Sequence, residues 1–126
     1  MNRFLFIAIG AALGANARYI IGLWAADRFG AAFPYGTLLV NVTGSLILGF
    51  VITLTTERLT LAPETRLFLA VGFLGSYTTF SSYAVESLSL FRDSGFWPGI
   101  LNMIGNNLLA LLSALLGAYL ARFVGD

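Results

Sequence analysis

Neither histidine nor cysteine occurs anywhere in this 126-residue chain. Their absence excludes metal ligation by imidazole or thiolate, thiol nucleophiles and disulfides. Charge is scarce as well: acidic and basic residues make up 10% of the sequence and nearly cancel, leaving a formal net charge of +1. A chain so balanced has no electrostatic footprint for nucleic acid. It also has too little polar surface to cover a soluble globule, since 58% of its residues are hydrophobic, and membrane residence is the default for such a composition. Acidic residues and lysine are missing from four long stretches, 4–26, 29–56, 67–85 and 94–121, and only the first holds a charge, Arg18. What is left suffices for termini and three loops. No extramembrane domain can be built from it, so an enzyme of this sequence would need its site inside a helical bundle.

The stretches predict an all-α integral membrane protein, a single four-span domain over 1–126 with spans at approximately 4–26, 33–56, 63–91 and 96–122. Each is long enough to cross roughly 30 Å of hydrocarbon. The first is too long for the apolar region of a signal peptide, and Trp24 stands near Ala26 where cleavage needs a small residue, so it reads as a retained span. Pro34 suits the first turn of the second helix, Pro63-Glu64 the start of the third, and Trp97-Pro98 the start of the fourth. Trp24, Tyr35 and Trp97 fall at span ends, where amphipathic rings favour the interface. Arg3, Arg58, Arg66 and Arg122 fall on one side of the membrane, Arg28 and Arg92 on the other, with Arg18 near that second side. Orientation follows the Lys and Arg count, and this bias is slight. Insertion in both directions with head-to-tail pairing and a single weakly biased topology both fit it.

The third stretch carries the most information. Leu67 to Val85 is uncharged, yet Gly72 and Gly75 precede Ser76, Thr78, Thr79, Ser81 and Ser82. Glycine and β-branched threonine weaken a helix. A span with a weakened middle persists only where the freed backbone groups meet partners in protein or line a polar cavity, so a break and an ion or solute site at membrane depth are expected here. Other spans carry polar or small residues at helical spacing. Gly10, Gly14, Arg18 and Gly22 share one face, as do Thr37, Asn41, Ser45 and Gly49, and Asn102, Asn106 and Ser113 form a third track. The glycine row is expected to face protein, with Arg18 either pointing inward or snorkelling to the interface. Asn41 and the fourth-span asparagines serve either a pathway or interhelical packing.

Three motifs, in order, carry a resemblance over the whole chain: Gly14-Ala15-Asn16-Ala17-Arg18, Gly36-Thr37-Leu38-Leu39-Val40-Asn41, and the run Gly75 to Tyr83 with Glu86 three residues beyond. Together they resemble the Fluc fluoride channels. The resemblance implies a passive channel, not an enzyme, that exports cytoplasmic fluoride across a prokaryotic plasma or inner membrane and confers fluoride resistance. It implies an antiparallel, dual-topology homodimer with two fluoride pathways and a structural Na⁺ on the two-fold axis. Gly75 and Thr78 would hold that ion through backbone carbonyls. Asn41, Phe80 and Tyr83 would line the pathway, with donors from the Asn41 amide, Thr37, Ser81, Ser82, Asn106 and Ser113, and Arg18 near an entrance. Glu86 would either cap the Ser81 and Ser82 hydroxyls at a vestibule or sit in water.

Two departures stand out. Tyr83 replaces a family phenylalanine, adding a hydroxyl that would donate to the ion or reach Asn106. Ala110 and Ala114 replace family hydroxyls, which Ser113 would have to supply. These losses also fit one subunit of a heterodimer, although Asn41 and Phe80 are both present and favour a homodimer. A small dual-topology multidrug exporter is the rival class, and it needs a membrane-embedded carboxylate where the first span offers Arg18 and no acid. A third reading makes every polar row packing contact in a structural subunit.

Overall fold

The structure, a computed structural model, describes residues 2–124, Asn2 by its backbone alone. Apolar residues alternate with small ones along α1 (Asn2–Phe29), which runs for 28 residues before Gly30, at φ 84°, turns the chain. Proline sets the next start: Pro34 takes the cap position of α2 (Tyr35–Glu57), one residue before the expected first turn. The third segment opens with α3 (Pro63–Arg66), Pro63 inside its first turn and Glu64 beside the positive helix end. It continues as a π-helical stretch, Leu67–Leu74, and the short α4 (Gly75–Tyr77). The backbone then becomes extended at Thr78 (φ −84°, ψ 160°) and Thr79 (φ −152°, ψ 126°) before α5 (Phe80–Asp93). Gly95, at φ 99°, leads into α6 (Phe96–Ile104), a second π-helical stretch at Gly105–Leu109, and α7 (Ala110–Ala121).

The described residues are all helix, turn and loop, with no strand among them. Three continuous helical runs, Arg3–Phe29, Tyr35–Glu57 and Phe96–Ala121, are long and apolar enough to cross a membrane. The third segment is divided within its apolar stretch. Its interruption falls on the two threonines and not on the glycines before them, for Gly75 keeps helical angles (φ −62°, ψ −30°). β-Branched side chains favour extended backbone, whereas Gly72 serves close packing on α1, where a Cβ would lie 2.7 Å from the Ile7 carbonyl.

Small residues decide which helices meet. Gly14 leaves room for the Phe73 carbonyl, and with Gly10 it seats α1 against the first half of the third segment, as the row's spacing predicts. Gly49 and Gly117 do the same between α2 and α7: a Cβ on Gly117 would strike the Leu46 carbonyl and lie 2.9 Å from the Phe50 amide. Between these contacts lies a small core of Val40, Leu74 and Tyr77. Large apolar side chains such as Ile20, Leu88, Leu111 and Leu115 stay exposed, the exterior of a bundle whose solvent is hydrocarbon.

Gly117→Val should therefore lower the melting temperature in detergent, because backbone atoms cannot move aside as side chains do, and overpacking costs about 1–3 kcal/mol. Gly22→Ala is the control, since nothing lies within 4 Å of the added methyl. Equal melting temperatures for both variants would refute this account of the α2–α7 contact.

Candidate ion pathway at a broken helix

At the break, Asn41 pairs with Thr79 as a neighbouring peptide would. The Thr79 N–H donates to Asn41 Oδ1 at 2.8 Å, and Asn41 Nδ2 donates to the Thr79 carbonyl at 2.9 Å. An N–H only donates and a carbonyl only accepts, so these two contacts fix which way the amide points. The second Asn41 N–H must then meet an oxygen, and it reaches Asn106 Oδ1 at 2.9 Å. Asn106 accordingly directs Nδ2 to Asn102, to its Oδ1 at 2.9 Å and its carbonyl at 3.1 Å. Asn102 donates to Ser87 Oγ at 2.9 Å, and Ser87 to the Tyr83 carbonyl at 2.8 Å. The outcome is a one-way chain of donors from α2 through α6 and its π-helical continuation to α5. Asn102 is fully buried, and Thr79, Ser87 and Asn106 are nearly so. Each member left unmet would cost about 1–3 kcal/mol, so the chain fixes where the break and α5 stand against α2 and α6.

Cavities meet the break from two sides. One of about 330 Å³ is bordered by Asn41, Ser45, Thr78, Phe80, Tyr83 and Asn106. Another, about 370 Å³, is bordered by Arg18, Thr37, Ser82 and Glu86, and Thr79 touches both. A third cavity of about 540 Å³ lies at the end marked by Pro34 and Asp93 and shares Thr37 and Glu86 with the second. Taken in order they form a series from that end inward, joined at the Thr37–Glu86 pair and then at Thr79.

The expected site residues distribute along this series. Thr37 donates to Glu86 Oε1 at 2.8 Å, so Glu86 is held by α2 and not by Ser81 or Ser82. Its Oε2 is buried with no hydrogen-bond partner among the described residues. Arg18, half-buried, borders the same cavity. Ser82 accepts from the Thr79 hydroxyl at 3.1 Å and borders this cavity too, whereas Ser81 is exposed. Phe80 is 74% exposed and its ring meets the buried Tyr83 ring edge-on, centroids 5.2 Å apart. Asn107, not Asn106, reaches the Tyr83 hydroxyl, at 2.8 Å. Ser113 borders none of these three cavities, while Ala110 and Ala114 face the one beside Tyr83. The π-helical turn between Asn106 and Ser113 shifts the register that an ideal helix would give.

Gly75 and Thr78 keep carbonyls that lose their ordinary helical donors. The Thr79 N–H that would bond Gly75 goes to Asn41, and the Ser82 N–H that would bond Thr78 goes to Thr79 Oγ1 at 3.2 Å. Ser87 and Asn107 are the site members that the sequence reading missed. The four-residue step from Tyr83 to Ser87 was a signal for the first; Asn107 gave none, since in a regular helix it points away from Asn106.

An all-helical bundle with a break pinned by buried amides and flanked by a series of cavities defines a membrane protein with an internal polar route. Residues 5–118 match the family described as CrcB-like protein, Camphor Resistance (CrcB), and the chain belongs to that family. It is 48% identical, over 99% of both chains, to a protein of Chloroflexus aurantiacus named fluoride-specific ion channel FluC. Proteins of the same name from Sulfurihydrogenibium sp. (48% identical, over 98% of this chain and 100% of that one) and Solibacter usitatus (47%, over 95% and 98%) are similar throughout. The chain is thus a multi-pass protein of a prokaryotic cell membrane, from an ion-channel family and not an enzyme.

Proposed function

We propose that this chain is a passive, fluoride-selective channel that exports cytoplasmic fluoride and so confers fluoride resistance. In this reading it is a four-span subunit, the segment 63–91 being the broken third span, and it works as an antiparallel dual-topology homodimer. The observation that carries the proposal is the series of cavities meeting at Thr79. The near-full-length relatives, all named for fluoride, supply the identity of the ion.

Fluoride is small and strongly hydrated, so a route must offer hydrogen-bond donors in place of water and still release the ion. Arg18 at the cavity bordered by Glu86 favours an anion's approach, and the Ser82 hydroxyl follows it inward. Phenyl edges carry partial positive charge, and the Phe80 and Tyr83 rings stand beside the cavity of about 330 Å³. A membrane potential of about 100 mV is worth roughly 2.3 kcal/mol per charge, or about 45-fold in concentration, which suffices for export without another energy source.

Structural Na⁺ fits the donor set at the break. The carbonyls of Gly75 and Thr78 are hard oxygen ligands released from helical pairing, and a second copy would double them. A cation there would balance carbonyl dipoles that face no N–H. Replacing external and trapped Na⁺ with a large organic cation should reduce fluoride flux severalfold. Thr78→Val should tolerate the ion, since the ligands are backbone oxygens. Unchanged flux after prolonged Na⁺ removal would discard the site.

The functional test is flux from purified protein in liposomes. Fluoride efflux with little chloride is the expected result. Transport of a cationic drug would establish the exporter class instead, and no flux of either would leave a structural subunit or half of a heterodimer.

A further inference from the structure

We propose that the Tyr83 hydroxyl, aimed by Asn107, is the principal side-chain donor to the anion in the cavity beyond the break, and that Asn41 is not. The proposal rests on the fluoride-channel reading above and follows from counting the donors that border this cavity.

Asn41 has two N–H groups, and both are engaged, by the Thr79 carbonyl and Asn106 Oδ1. Asn106 directs its Nδ2 at two oxygens of Asn102. Asn107 directs its own at the Met103 carbonyl and Tyr83 Oη, each at 2.8 Å. The Thr78 hydroxyl donates to the Leu74 carbonyl at 3.0 Å, and the Thr79 hydroxyl to Ser82 Oγ at 3.1 Å. The side chains of Phe80, Ala110, Leu111 and Ala114 bring no polar hydrogen. Two side-chain donors remain along the wall, the hydroxyls of Tyr83 and Ser45.

Tyr83 is the stronger of the two and the better aimed. A phenolic O–H is a stronger hydrogen-bond donor than an aliphatic one and makes the shorter bond to a hard anion. The Met103 carbonyl can only accept, so the Asn107 atom facing it is nitrogen, and that same nitrogen faces Tyr83 Oη. Tyr83 therefore accepts from Asn107 and cannot give its proton back along that line. The proton turns to the open side, where the described residues offer it no acceptor and the cavity lies. Asn107 is a positioning residue in this arrangement: it touches the phenol and not the ion. This count gives Tyr83 a donor role that the family phenylalanine at its position could not fill.

The test compares parent, Tyr83→Phe, Asn107→Ala and the double variant by fluoride flux in liposomes, with melting temperature as a check on folding. Tyr83→Phe keeps the ring and leaves only the exposed Asn107 amide without its partner, so it should fold as the parent does. Its fluoride flux should fall about tenfold, the order expected for losing a hydrogen bond to a charged group. Asn107→Ala should lower flux by a smaller factor, and by none in the Tyr83→Phe background, which a merely structural role for Asn107 would not produce. A tyrosine absorption change on adding fluoride should occur in the parent and vanish in Tyr83→Phe. Parent-like flux in a folded Tyr83→Phe protein overturns the inference while the channel reading stands. Absence of fluoride flux from the parent overturns both.

Discussion

Asn41→Asp is expected to abolish fluoride flux and to lower the melting temperature, and Asn41→Ser to do less of both. Aspartate keeps the oxygen that accepts from the Thr79 N–H, but it loses both donors. Its second oxygen would then face the Thr79 carbonyl and Asn106 Oδ1, which Asn41 Nδ2 now approaches at 2.9 Å each. Turning the Asn106 amide over would relieve one clash and create another, because Asn106 Oδ1 would point at the main-chain carbonyl of Asn102, which cannot become a donor. The conflict therefore stays inside the buried chain. Unmet groups there cost about 1–3 kcal/mol each, and the carboxylate adds the cost of a charge at membrane depth. That charge also stands beside an anion route. Serine is too short to keep all three bonds but introduces no charge.

Flux and melting temperature measured together separate the two roles. A protein that melts like the parent yet conducts nothing would assign Asn41→Asp to repulsion of the ion alone. Loss of both would assign it to failure of the break. Parent-like conduction would remove Asn41 from the pathway and from the clamp together.

Much of this arrangement could be read in the chain before any coordinates. Four apolar stretches, the glycine row from Gly10 to Gly22 and the hydroxyl-rich centre of the third stretch are local patterns, and each reports directly on backbone or packing. The break was legible as well, though it lies at Thr78–Thr79, where β-branching favours extended backbone, and not at the glycines. Partners across helices were harder. Asn41 meets residues 38 and 65 positions away, and such pairings depend on helix rotation that spacing within one helix does not reveal. Glu86 illustrates this: nearby Ser81 and Ser82 suggested themselves, yet Thr37 of another helix makes the bond. The π-helical turn at Gly105–Leu109 misled in the same way, removing Ser113 from the track and making the adjacent Asn106 and Asn107 both useful.

Fusing a short run of lysines to the C-terminal end should trap the chain in one orientation and abolish its activity when it is expressed alone. Apart from Arg18 and Glu86, which border an inner cavity, the following charges lie at two ends of the fold. At one, Arg58 donates to the Arg122 carbonyl at 2.8 Å and Arg122 pairs with Glu57 at 3.3 Å, and the start of α1 packs beside α3, which holds Arg66. At the other, Asp27 precedes Arg28, and Arg92 pairs with Asp93 at 2.7 Å, a hydrogen bond that holds the Asp93 carboxyl below its ordinary range. Acidic residues count little in setting topology, so the contest is among arginines, and neither end dominates it. Several added lysines would decide it. A dual-topology pair would then lack its inverted member, and flux from cells or vesicles should vanish. Orientation can be read by labelling single introduced cysteines, since the chain has none of its own. Co-expression with a copy carrying lysines in the loop between α1 and α2, which fixes the opposite orientation, should restore activity. A parent protein that labels from one side only would refute dual topology, and so would a lysine-tagged chain that conducts by itself.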